Sequence, residues 1–245
     1  GTTNRLRRNR ISVIEDQRSG LMHNKFIVID GRIVWTGSMN FAPRDTYCHD
    51  NNTVRFDSPE LAANYSAELD EMYIDRAFGP TSPRNTRDRL TINGTALENY
   101  FSSEFSVAPV IARAVARADE EILFMAFSFT NEDIGESIIE RAEAGLPVRG
   151  VVEAFGSEAS SSYYNDFRRR RLPNLEVLRD GNGNLLHHKV IIIDRAVTIF
   201  GSFNFSNSAN DSNDENTIII YDPVFASFFI EEFERVWAVA GGAPP

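Results

Sequence analysis

The chain has 245 residues, 42% hydrophobic and 24% charged, with 15 Gly, 10 Pro and one Cys. That composition excludes disorder, a collagen-like repeat and a disulfide scaffold, and no apolar run approaches the roughly 18 residues of a bilayer-spanning helix. A net charge of −10, from 35 acidic and 25 basic residues, excludes a general attraction to polyanions, so any anionic ligand must be held by a local group of cations. The lone Cys48 leaves the redox compartment open. The sequence starts at Gly1, and a secreted or envelope-associated location is expected if an export signal was removed.

In chain order, residues 11–78 read as a partial sheet with an uncovered edge. Residues 79–103 are rich in Pro, Thr, Asn and Arg and read as a linker. From about residue 104 a fuller unit follows. An apolar strand is expected over 121–129, and a helix over 132–144 with Gly145 at its end. A Val-rich strand at 147–153 and a helix at 163–171 come next. Short strands at 175–178, 189–194, 196–200 and 216–221 are separated by Gly and Asn turns. Pro223 opens a last helix to about residue 240. Strand–helix alternation followed by clustered strands indicates an α/β fold, a mixed sheet flanked by helices.

The chain repeats itself at an offset of 164 residues. Met22-His23-Asn24-Lys25 falls on Leu186-His187-His188-Lys189, Asp30 on Asp194, and Gly37-Ser38-Met39-Asn40 on Gly201-Ser202-Phe203-Asn204. Of the 25 basic residues only Lys25 and Lys189 are lysines, and both belong to the motif. Alternate residues of a strand share a face, so each motif histidine lies beside its lysine, while Asn24 and His188 point the other way. The motif then turns and returns to Gly-Ser-x-Asn at the level of the histidine. Gly is expected to let a ligand approach the backbone, with the Ser and Asn side chains as donors. Each copy supplies half of a phosphate cradle: His23, Lys25, Ser38 and Asn40, and His187, Lys189, Ser202 and Asn204. Two imidazoles facing one phosphorus permit double displacement, one attacking and the other protonating the leaving oxygen. The lysines and asparagines then stabilise the non-bridging oxygens, and neither metal nor cofactor is called for.

The duplicated His-x-Lys-x4-Asp-x6-Gly-Ser-x-Asn resembles the signature of the phospholipase D superfamily. The resemblance implies two repeats related by a pseudo-two-fold axis, a phosphohistidine intermediate, phosphodiester substrates and structural roles for Asp30 and Asp194. It divides the chain into residues 1–78, a first repeat lacking its N-terminal part, the linker 79–103, and a complete second repeat at 104–245. A second polypeptide or a preceding segment would complete the first repeat. The family places an imidazole partner 28 residues after the motif histidine, where this chain has Asn51 and Glu215. A carboxylate favours the imidazolium and an amide does not. The expectation is therefore His23, held by Asn51 (or by its neighbour Asp50), as nucleophile, and His187, held by Glu215, as proton donor. The run Arg168, Arg169, Arg170 and Arg171 is a candidate for tracking a polyanion, and Phe124, Phe127 and Phe129 read as core. A nuclease acting on DNA or RNA is the first expectation for function. The alternatives are a lipid hydrolase recognising a phospholipid head group and a non-catalytic polyanion-binding module.

Overall fold

The computed structural model describes residues 2–102 and 104–243. After α1 (Thr2–Arg8), the strands β1 (Phe26–Ile29), β2 (Ile33–Gly37) and β3 (Thr53–Asp57) form an antiparallel sheet in that order. The short α2 (Pro43–Tyr47) lies between β2 and β3, and α3 (Pro59–Asp70) follows, its first turn capped by the Ser58 hydroxyl. The remaining elements are β4 (Arg89–Ile92), β5 (Thr95–Ser102), α4 (Ala108–Val115), β6 (Ile122–Ala126), α5 (Glu132–Glu143), β7 (Val148–Val152), α6 (Tyr163–Arg170), β8 (Leu175–Arg179), β9 (Lys189–Ile193), β10 (Val197–Gly201), α7 (Asn207–Asp211), β11 (Glu215–Tyr221) and α8 (Pro223–Val239). Their eight strands make one mixed sheet in the order β4-β5-β11-β10-β9-β6-β7-β8, parallel only across β6-β7-β8. No described helix is long and apolar enough to cross a membrane.

The offset of 164 carries β1, β2, α2, β3 and α3 onto β9, β10, α7, β11 and α8, and it carries the register with them. Phe26 pairs with Thr36 as Val190 pairs with Phe200. The environments differ. Strand β9 lies between β10 and β6, so Lys189–Ile193 is buried throughout. Strand β1 pairs only with β2 among the described residues, and Ile27 and Ile29 are exposed on it.

One face of the large sheet packs under α4, α5 and α6 through Phe124, Ile138, Phe167 and Ile191. The other packs against α8, α3 and the small sheet. There Phe56 stacks on Phe200, and Tyr65 meets Phe101 edge-on at 5.1 Å, so the two repeats share a core. Each such side chain contributes roughly 1.5–3 kcal/mol of burial. Tyr65 also donates to Asn216 Oδ1 (3.1 Å), joining α3 to β11.

The expected linker is corrected by the sheet. Within 79–103, β4 and β5 form a hairpin, and β5 pairs along β11, with Tyr100 opposite Thr217. Asn93 and Gly94 both have positive φ (51° and 85°), the requirement of a two-residue type I′ turn.

Candidate active site

Backbone pairing between the repeats builds the site. His23 N–H donates to the Asp214 carbonyl (3.0 Å), and His187 N–H to the Asp50 carbonyl (2.6 Å). These four positions are related by the same offset of 164. Each motif histidine is thus tied to the segment that leads into the other repeat's third strand, and the two strand starts converge. The charges of His23, Lys25 and Lys189 all act on His187.

Both rings are fixed through Nδ1. His23 Nδ1 bonds Glu215 Oε2 at 2.7 Å, and His187 Nδ1 bonds the Ser38 carbonyl at 2.9 Å. Both partners accept, so Nδ1 carries the proton in each ring and Nε2 is left without a protein partner among the described residues. Glu215 is completely buried; it also accepts from Ser202 Oγ (2.7 Å) and Asn213 Nδ2 (3.0 Å). The expected pairing is therefore crossed: Glu215 serves the histidine of the other repeat. Asn51 does not reach an imidazole; its Nδ2 donates to the Asp45 carbonyl (2.6 Å). Nor does Asp50, whose carboxylate binds Asn182 and Arg235.

Lys25 and Lys189 are buried, and each donates to the carbonyl of its own histidine, at 2.6 and 2.7 Å. One of three ammonium donors is used in each case. Burial brings Lys25 down to about 8, partly offset by the Glu215 and Asp45 carboxylates. Burial and the Lys25 charge push Lys189 well down, against the same two carboxylates. His187 falls to about 2, through burial and then the charges of Lys189, Lys25 and His23. It is a neutral imidazole.

Other sequence expectations are redirected. The Ser202 hydroxyl accepts from Asn216 N–H (2.9 Å) as it holds Glu215, and Ser38 Oγ accepts from Asn52 N–H (3.1 Å). Both serines therefore join neighbouring strands. The motif glycines serve the same junctions: a Cβ on Gly37 or Gly201 would lie 2.4 Å from the Asn52 carbonyl or 2.2 Å from that of Asn216. It is the neighbouring strand that approaches these glycines closely. Asn40 Nδ2 donates to Asp45 Oδ1 (2.8 Å), whereas the Asn204 side chain makes no protein hydrogen bond among the described residues. Asp194 turns the chain at φ 52° and accepts from the N–H groups of Asp119, Glu120 and Glu121. Asp30 has the same φ region and no such partners among the described residues. Of the arginine run, Arg169 pairs with Asp166, and Arg170 with Glu136 and Glu143, on the outer faces of α5 and α6, apart from the histidines.

Two residues were not foreseen. Phe127, expected in the core, is half-buried; its ring meets His187 edge-on (4.8 Å) and lies under Lys189 Nζ (4.7 Å). Asp45 is buried on α2, with Oδ1 4.0 Å from His187 Nδ1.

A doubled sheet-and-helix unit whose two motif histidines are crosslinked through each other's strands defines a two-repeat phospholipase D-like domain. The family model described as "Cardiolipin synthase, PLD-like domain" matches residues 1–73 and 111–237, and the chain belongs to that family. The mouse protein named mitochondrial cardiolipin hydrolase is 29% identical over 135 residues, covering 55% of this chain and 59% of the relative. The Rickettsia felis protein named phospholipase D is 32% identical over 123 residues, covering 50% and 60%. The chain thus spans about half to three-fifths of the length of these curated relatives. Among solved structures, the phospholipase D family member Nuc from Salmonella typhimurium is 28% identical with a TM-score of 0.53, over 59% of this chain and 95% of Nuc. The phosphatidylserine synthase of Haemophilus influenzae shares the fold at 14% identity and a TM-score of 0.70, over 89% of this chain and 62% of that one.

Proposed function

We propose that the protein hydrolyses phosphodiesters through a phosphohistidine, without a metal ion, and that its substrate is a nucleic acid. The observation that carries the chemistry is the crossed pair of imidazoles, both protonated at Nδ1 and both with Nε2 unpartnered among the described residues. The residues expected for the two roles exchange places. His187 is neutral and bonded to a carbonyl, so its Nε2 lone pair attacks phosphorus in line. The P–O bond to the leaving group breaks as that oxygen takes the Nε2 proton of His23. The Glu215 carboxylate stabilises the positive charge a proton donor carries. Neutral His23 then takes a proton from water, the hydroxide attacks the phosphohistidine, and the P–N bond to His187 breaks. Lys25, Lys189 and the Asn204 amide supply donors to the non-bridging oxygens throughout.

A cleft of about 230 Å³ beside the site supports a nucleic-acid substrate. It opens at the carboxyl ends of β6 and β7 and shares Phe127 with the site. Phe127, Phe129 and Phe155 line it with the hydroxyls of Ser128, Ser157 and Ser162. Its volume is below the roughly 300–1,000 Å³ of drug-sized ligand pockets, which suits one base better than acyl chains. Phe155 is 84% exposed, a face on which a base can stack. Lipid hydrolysis is the second reading, favoured by the names of the matched relatives. The deciding experiment incubates the protein in EDTA with single-stranded DNA, RNA, plasmid, and vesicles of phosphatidylcholine or cardiolipin. Cleavage of a nucleic acid is expected. Turnover of vesicles alone replaces the first reading with the second, and loss of all activity in EDTA removes the two-histidine chemistry.

A further inference from the structure

The two halves of the site do not carry their carboxylates at matching positions. In the second repeat α7 places Ala209 where α2 places Asp45, and β11 opens with Glu215 where the first repeat has Asn51. Each half therefore has one acidic group directed at the other half's histidine, from the helix in one case and from the start of the strand in the other. The neighbours occupy corresponding positions, although Glu215 is hydrogen-bonded to them and the Asp45 carboxylate, among the described residues, accepts only from Asn40. Around Glu215 stand His23, Ser202 and Asn213. Around Asp45 stand His187 at 4.0 Å and His49 at 3.6 Å, and His49 is the offset counterpart of Asn213. Ser38, the counterpart of Ser202, contributes its carbonyl to His187. Asn51, in the position that holds a carboxylate in the other repeat, donates to the main-chain carbonyl of Asp45 and so anchors its replacement.

We propose that Asp45 is the first repeat's site carboxylate, a positioning residue that balances the charge formed on His187, in the role Glu215 has for His23. The inference rests on the phosphohistidine reading. At 4.0 Å with a carbonyl on Nδ1, Asp45 has no hydrogen bond to the resting ring. Phosphorylation at Nε2 makes that ring cationic while Nδ1 keeps its proton, and a buried carboxylate at this range then stabilises it. Asp45 also holds the Asn40 amide, which distinguishes the first motif from the second, where the Asn204 amide is unengaged among the described residues.

The test uses three variants of the whole chain, with turnover of bis(p-nitrophenyl) phosphate and the labelled histidine measured in each. Asp45→Asn keeps an acceptor for Asn40 and removes only the charge. It should lower kcat about 10-fold or more with KM little changed, the scale of removing one charge 4.0 Å from the cationic ring. Asp45→Ala should lose at least as much. Asp45→Ala/Asn51→Glu, which gives the first repeat the arrangement of the second, should regain most of that loss. Thermal melts confirm that each variant is folded; should Asp45→Ala not fold, Asp45→Asn alone decides. Asp45→Asn within twofold of the starting rate, a loss confined to KM, or a double variant no better than Asp45→Ala each overturns the proposal. If the unaltered protein forms no phosphohistidine at all, the underlying mechanism fails instead, and that outcome is read before any variant is compared.

Discussion

Replacing Glu215 by Gln removes one charge from a completely buried position while leaving its shape. The carboxylate accepts from His23 Nδ1, Ser202 Oγ and Asn213 Nδ2. A glutamine oxygen turned toward His23 and Ser202 keeps two of those bonds and sets its amino group against that of Asn213, whose Oδ1 is held by Leu21 N–H (3.0 Å), so the third bond is lost. That lost bond falls on stability and is read in a thermal melt, while the effect on rate falls on the charged state of His23. A hydrogen bond to a charged group contributes about 1.5–3 kcal/mol against about 0.5–1.5 for a neutral one. The difference, about 1–2 kcal/mol, lowers the rate roughly 5- to 30-fold. A general acid matters only when the leaving oxygen needs a proton. The loss should therefore be full on an oligonucleotide, whose sugar oxygen leaves poorly, and several-fold smaller on bis(p-nitrophenyl) phosphate, whose phenolate leaves unaided. Steady-state kinetics on both substrates in EDTA measure this. An equal loss on the two, or none on either, refutes the assignment of His23 as the acid.

The Lys25 ammonium, brought down to about 8 by burial, is present below that pH and lost above it. Accordingly kcat/KM should fall as pH rises through about 8, and Lys25→Arg, slower at its optimum, should keep its rate to higher pH; a limb unmoved by that change contradicts the role. The motif aspartates offer an internal control. Asp194→Asn weakens the bonds to three backbone N–H groups and should cost about 1–2 kcal/mol, or roughly 2–8 °C in Tm. Asp30→Asn, in the same backbone conformation without those partners, should stay within about 0.5 kcal/mol. Equal shifts in the two melts contradict the capping role of Asp194.

The repeat made much of the site legible before any coordinates. Strand alternation alone separated His187, which faces the site, from His188, which turns away from it to Asn52 of the first repeat (3.0 Å) and Glu232 on α8 (2.9 Å). The crossing of Glu215 onto His23 was not legible, because an offset within one chain relates equivalent positions and says nothing of which repeat a side chain crosses into. Asp45 escaped for the opposite reason: its counterpart is Ala209, so a comparison of what the repeats share passes over it. The hairpin within 79–103 did carry a signal, Asn93-Gly94 followed by alternating Leu97, Asn99 and Phe101 on one face, which the Pro, Thr and Arg content around it outweighed. The arginine run misled because charge density in a sequence does not reveal the carboxylates of α5 that stand beside it.

The most direct measurement asks where the phosphoryl group rests. His23→Ala, lacking the base that activates water, is mixed with bis(p-nitrophenyl) phosphate in EDTA, quenched at alkaline pH and mapped by mass spectrometry. The crossed geometry predicts p-nitrophenyl phosphate held on His187, and no adduct when His187 is replaced instead. An adduct that forms on His23 in the His187 variant, or no adduct on either ring, contradicts it.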